Sequence, residues 1–218
     1  MIGLLLRAIF VLVLAFALAL GVIIVQPEDA ALRAFFAPPD CAAPCFLGIR
    51  PGVTTVDQAL ALLQASSWVR GINTAESESP AHAQTNTNIY WGWTGQQPDF
   101  VFDLAAFTLP YMHIRNGIVQ YIRLVTRIPY GDAWLSLGVP STGTLTVRNP
   151  NSANFVYLHS AGYFGGKLVF DTEVTCPVTP AAFWNASVSI SYSDGSLTAY
   201  SMPDYHFDRT LYRMTCPA

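Results

Sequence analysis

Apolar and polar positions divide this 218-residue chain into two parts. From Ala8 to Val25 (AIFVLVLAFALALGVIIV) every side chain is apolar or glycine. A helix rises about 1.5 Å per residue, so ~20 such residues cover the ~30 Å hydrocarbon core of a bilayer. The pattern predicts a transmembrane helix within residues 1–26. Beyond it the periodicity shortens. Val56, Ala59, Leu60 and Leu63 recur at helical spacing, with Thr54 placed to cap the helix and Asp57 near its positive end. Ile89, Trp91 and Trp93 alternate as in a strand, and Pro98 to Leu104 carries another short run. Tyr111 to Val125 predicts a hairpin about Asn116-Gly117, a dipeptide that tolerates positive φ at both turn positions. That turn sets Ile114 opposite Val119, Met112 opposite Tyr121, and His113 opposite Gln120. Tyr130 to Pro140 is a short helix, with Asp132 as its cap and Gly138 and Pro140 as its stop. Strands are expected at 144–148, 155–159 and 167–175. A last hairpin is expected over Ser187 to Met202 about Asp194-Gly195, with Val188, Ile190 and Tyr192 on one face and Ser189, Ser191 and Ser193 on a wet one.

These elements define an α+β protein: an N-terminal transmembrane helix followed by a mostly antiparallel β ectodomain. The expected divisions are the anchor at 1–26, a juxtamembrane spacer with a cysteine pair at 27–45, and two tandem helix-plus-sheet units at 46–128 and 129–218. Residues 73–88 (NTAESESPAHAQTNTN) hold almost nothing apolar and read as a mobile loop. Gly162 to Gly166 reads as a turn.

Two stretches, Gly48 to Leu63 (GIRPGVTTVDQALALL) and Gly131 to Pro140 (GDAWLSLGVP), carry a resemblance. In order of elements they resemble the small envelope domains of the BamE/SmpA type and β-lactamase-inhibitor-protein-like modules. The resemblance implies a helix followed by an antiparallel sheet, and a protein-binding or envelope-scaffolding role without catalysis.

Composition narrows the partners. Charged residues make up 11% of the chain and the net charge is -3, with the basic groups scattered. No basic stripe exists, so nucleic acid is not an expected partner. Arg7 precedes the apolar run and Glu28 and Asp29 follow it, which orients the N-terminus to the cytoplasm and the C-terminal domain outward. Ala15, Ala17 and Ala19 offer a signal-peptidase triplet, but apolar residues continue to Val25, longer than the ~7–15 residues of a cleaved core. An uncleaved signal anchor in the cell membrane is expected. In that oxidising compartment the four cysteines are expected to pair as Cys41–Cys45 and Cys176–Cys216.

Candidate chemistry is sparse. His82, His113, His159 and His206 stand apart from one another with no metal-ligand spacing, so neither metal nor cofactor is expected. Asp99 with Asp103, and Asp204 with Asp208, are spaced by four, which is the ordinary arrangement of solvated carboxylates. The aromatics offer more. Tyr90, Trp91 and Trp93 would bind a glycan or anchor a protein if their rings faced outward, and would fill the core otherwise. The leading expectation is a non-catalytic extracytoplasmic binding or scaffolding domain of the cell envelope. A carbohydrate-binding module and a hydrolase with an unrecognised site are the alternatives. Protease added to spheroplasts is expected to remove residues 27–218 while the anchor stays in the membrane. A protected C-terminus, or a mature chain beginning near Gly21, would contradict this.

Overall fold

Alternation along the second half of the chain becomes one antiparallel sheet. The computed structural model describes residues 7, 9–18, 30–76, 86–102, 109–148 and 155–195. By contact the chain forms two units, Met1–Ala30 and Ala31–Ala218. In the first, residues 9–18 are helical, and Phe10, Leu12 and Phe16 are exposed. Among the described residues no helix is long and apolar enough to cross a membrane. The rest of the apolar run lies outside them.

The second unit begins with α1 (Ala30–Phe36), α2 (Val56–Ala65) and the strands β1 (Val69–Glu76), β2 (Asn86–Trp93), β3 (Tyr111–Arg115) and β4 (Ile118–Pro129). It continues with α3 (Tyr130–Leu137), β5 (Thr142–Arg148), β6 (Val156–Tyr163), β7 (Leu168–Thr175), α4 (Pro180–Asn185) and β8 (Ser187–Ser193). The eight strands form a single sheet in the order β1-β2-β3-β4-β8-β7-β6-β5. Two consecutive meanders, β1 to β4 and β5 to β8, therefore meet at the antiparallel β4–β8 ladder.

One sheet face is apolar. Trp91, Met112, Ile122, Leu124, Ile190, Tyr192 and Phe170 point from five strands into a core with Phe36, Phe46, Ile49, Leu63 and Tyr130. Each such side chain contributes roughly 1.5–3 kcal/mol by leaving water. Residues 30–36 are therefore not the free spacer expected of 27–45. Leu32, Phe35 and Phe36 are buried because α1 turns its aromatic end into the core, where Tyr192 Oη donates to Phe35 O at 3.4 Å. The loop expected at 73–88 is likewise narrower. Asn73 to Glu76 pair with Thr87 to Tyr90, since backbone pairing supplies what the apolar pattern lacks. Residues 77–85 lie outside the described residues.

The helices start close to the expected places. α2 is capped by Thr55, not Thr54: Thr55 Oγ1 accepts from the Gln58 N–H, and Gln58 Oε1 accepts from the Thr55 N–H at 3.1 Å. Thr54 is used elsewhere, accepting from the Arg50 N–H at 2.8 Å. α3 has no side-chain cap, and Asp132 sits in its first turn. α4 carries no apolar periodicity long enough to announce it, and it is capped by Thr179. Of the run at 98–104, Val101 makes an isolated bridge to Thr126. The Cys41–Cys45 disulfide is formed, with its Cα atoms 6.0 Å apart. Cys176 is also disulfide-bonded. Its expected partner, Cys216, lies outside the described residues.

The hairpin at Asn116-Gly117 has φ of 52° and 76° at the two residues, with Ile114 opposite Val119. The register then shifts. Gln120 is left unpaired as a bulge, so Met112 faces Ile122 and His113 faces Tyr121. Strict alternation from Val119 would have put Tyr121 in the core and Ile122 outside. The bulge restores Ile122 and Leu124 to the apolar side. The second arm of the hairpin expected about Asp194-Gly195, residues 196–202, lies outside the described residues. Both edges of β8 are taken, by β4 and by β7.

Gly52 and Gly117 separate two costs of a side chain. Both have positive φ, but a Cβ at Gly117 meets nothing within 4 Å, whereas one at Gly52 would lie 2.7 Å from the Asp194 Cβ. Gly117→Ala is expected to cost about 1–2 kcal/mol from backbone strain alone. Gly52→Ala is expected to cost clearly more, because two backbone segments must separate. Urea midpoints of the two variants check this, and equal midpoints would contradict it.

Candidate functional site

The face opposite the core is built by the residues between the apolar ones. On β2, Asn88 and Tyr90 alternate with Ile89 and Trp91; on β3, Tyr111, His113 and Arg115 alternate with Met112 and Ile114. On β4 the bulge sets Tyr121 and Arg123 outward. On β8 the outward positions are Ser189, Ser191 and Ser193. Cross-strand pairing aligns these into rows. Asn88, His113, Tyr121 and Ser193 form one, and Tyr90, Tyr111, Arg123 and Ser191 form the next.

Within this face the rings stack on one another. Tyr90 lies 5.5 Å from Tyr111 at 30°, and His113 lies 5.2 Å from Tyr121 at 22°. Tyr111 meets Tyr121 edge-on at 5.7 Å. Each ring thus has a face turned to a neighbour, and polar atoms are shared within the cluster: Asn88 Nδ2 donates to Tyr90 Oη at 3.5 Å, and His113 Nδ1 lies 2.8 Å from Asn88 Oδ1. Burial, and then the Tyr111 hydroxyl, hold the Tyr121 pKa above the usual phenol range, so its hydroxyl keeps its proton. Burial first, and Arg115 second, lower the His113 pKa below 6.5.

Beside the rings lies a polar trench. The serines of β8 are small, so Arg123 reaches across them, with Nη2 3.7 Å from Asp171 Oδ2 on β7. Ser160 Oγ on β6 donates to Asp171 Oδ1 at 2.6 Å. The ion pair is partly exposed and contributes about 0–1 kcal/mol. Ser191 and Ser193 are buried between longer neighbours, not the solvated row expected of them.

Of the three expected binding residues, Tyr90 alone belongs to this face. Trp91 and Trp93 are 0% and 4% exposed, nearly perpendicular at 89°, and packed against Phe46. They sit on the in-phase positions of β2 with Ile89, so the demand for core volume claims them. Single-strand alternation does not bring Tyr111, His113, Tyr121 and Arg123 together, because it names no neighbours. The three-residue step from Val119 to Ile122, followed by a two-residue step to Leu124, is the signal that marks the bulge and turns Tyr121 outward. Among the described residues no group of three or more His, Cys, Asp or Glu stands close enough to hold a metal. Asp99 lies in a turn. His82, His206, Asp103, Asp204 and Asp208 lie outside the described residues. No family model, no curated protein and no solved structure matches the chain.

His159 points the other way, into the core between Tyr130 and Phe183, at 5.0 and 5.2 Å. Burial pushes its pKa down to about 4. The folded value thus lies below the unfolded one of about 6.5. Stability from this site is complete above pH 6.5 and is lost as pH falls towards about 4, because the unfolded chain binds the proton first. His159→Phe keeps an apolar ring in place and removes the proton site. Between about pH 6.5 and 5 the unfolding free energy of wild type is expected to fall more steeply than the variant's, by up to about 1.4 kcal/mol per pH unit. Parallel curves would contradict the assignment.

Proposed function

We propose that the protein is a membrane-anchored, extracytoplasmic binding or scaffolding domain of the cell envelope, taking a protein partner on the open face of its sheet. The carrying observation is the contiguous Tyr90, Tyr111, Tyr121 and His113 cluster beside Arg123 and a row of serines. Tyrosine gives rigid contact area with a polar edge, and arginine gives directed donors. This combination suits protein recognition. Sugar binding by stacking needs a ring face open to solvent, and here Tyr90 and Tyr111 turn faces to each other. The anchor is supported by the apolar run from Ala8 to Val25 and by residues 9–18, whose large apolar side chains are at least half exposed. An exposed helix of this kind is stable in lipid and not in water.

The test compares capture of partners from solubilised membranes by the full-length chain and two variants. Tyr111→Ser/Tyr121→Ser alters the open face, and Leu135→Ser alters an exposed residue of α3. A partner retained by wild type and Leu135→Ser, but reduced about tenfold or more by the double variant, is the expected result. Equal recovery by all three would overturn the assignment of the open face.

A further inference from the structure

His113 is held by its neighbours in one chemical form. Its Nδ1 lies 2.8 Å from Asn88 Oδ1, and the Asn88 amide is itself oriented by Nδ2 donating to Tyr90 Oη at 3.5 Å. An amide oxygen only accepts, so the neutral ring carries its proton on Nδ1 and its lone pair on Nε2. Stacking on Tyr121 fixes the ring plane. Side chains on a strand stand away from the sheet, and Nε2 is remote from the backbone, so the lone pair is directed outward. Around it are Tyr90 from β2, Tyr111 and Arg115 from β3, and Tyr121 and Arg123 from β4, with Asp194 beyond Ser193 at the end of β8. Asp171 is engaged by Arg123 and Ser160.

We propose that His113 is a pH-operated acceptor within the open face: neutral, it offers Nε2 to a hydrogen-bond donor of the bound protein, and protonated, it withdraws that acceptor and adds a cation beside Arg115. The inference rests on the open face being the binding surface. Protonation leaves the Nδ1–H to Asn88 bond in place, so the switch acts by local chemistry and needs no movement of the fold. Burial and Arg115 set the transition on the acid side of 6.5, so the face is in its accepting form in neutral surroundings.

Nitrogen-15 NMR of the imidazoles in the full chain, held in detergent micelles, tests the device without a partner. The Nδ1–H tautomer is expected to dominate above pH 6.5, with one titration below that value followed by the Tyr121 and Tyr90 ring signals. Asn88→Ala is expected to move the neutral ring towards the Nε2–H form. An Nε2–H ring in wild type, or a midpoint at or above 6.5, overturns the proposal. Capture from solubilised membranes then tests the consequence. Wild-type recovery is expected to be about fivefold or more lower one pH unit below the midpoint found by NMR than one unit above it, while His113→Gln, whose amide oxygen accepts at either pH, is expected to respond to pH much less. A pH response that persists unchanged in His113→Gln overturns the switch and leaves the binding face standing. Indifference of capture to Tyr111→Ser/Tyr121→Ser at both pH values would instead overturn the binding face.

Discussion

The β4–β8 ladder is the interaction on which the rest of the molecule depends. Without it, β4 and β8 would each end a four-stranded meander with a row of unpaired backbone groups. Paired as Ile122 with Tyr192 and Leu124 with Ile190, they become the two central strands of an eight-stranded sheet. The residues that gain most are in the middle of the core. Tyr192 packs on Phe46, Phe36 packs on Phe170, and both contacts need strands of the second meander beside loops and helices that precede the first. The same ladder determines what the opposite face can be. It places two small serines, Ser189 and Ser191, between Arg123 and Asp171, so two charges on strands that are not neighbours come within 3.7 Å.

How much of this is legible in the sequence follows from the range of each interaction. The Asn116-Gly117 turn, the apolar stripe of α2 and the alternation of β8 depend on residues close in the chain, and periodicity and turn chemistry report them directly. Element ends are less legible, as the shift from Thr54 to Thr55 illustrates: both threonines can cap, and tertiary demands from Arg50 and the β3–β4 hairpin select between them. The pairing of β8 is not legible. Asp194-Gly195 has the composition of a hairpin turn, but β8 finds its partners in β4 and β7, and no local signal names strands that distant in the chain. The aromatic site follows the same rule. Trp91 and Trp93 can be read as core or as contact surface until the face of β2 that meets Phe46 is known.

The two faces of the sheet are coupled through one residue of β4. Val119, Ile122 and Leu124 are all 0% exposed, and a regular strand cannot put positions three and then two apart on one side. Setting Gln120 aside resolves the conflict, and its carbonyl is used, accepting from the Asp194 N–H at 3.1 Å. The consequence appears on the other side of the sheet. In an unbulged hairpin His113 would lie beside Gln120, whose flexible amide offers no ring to stack on. With the bulge it lies on Tyr121, which in turn meets Tyr111. The chemistry of the open face, including the fixed plane of His113, is therefore a product of how the core packs. Residues such as Tyr90 and Arg123 can be exchanged on that face without disturbing the core, whereas the phase that brings the rings together belongs to Val119 and Ile122 and cannot be altered without reversing a strand.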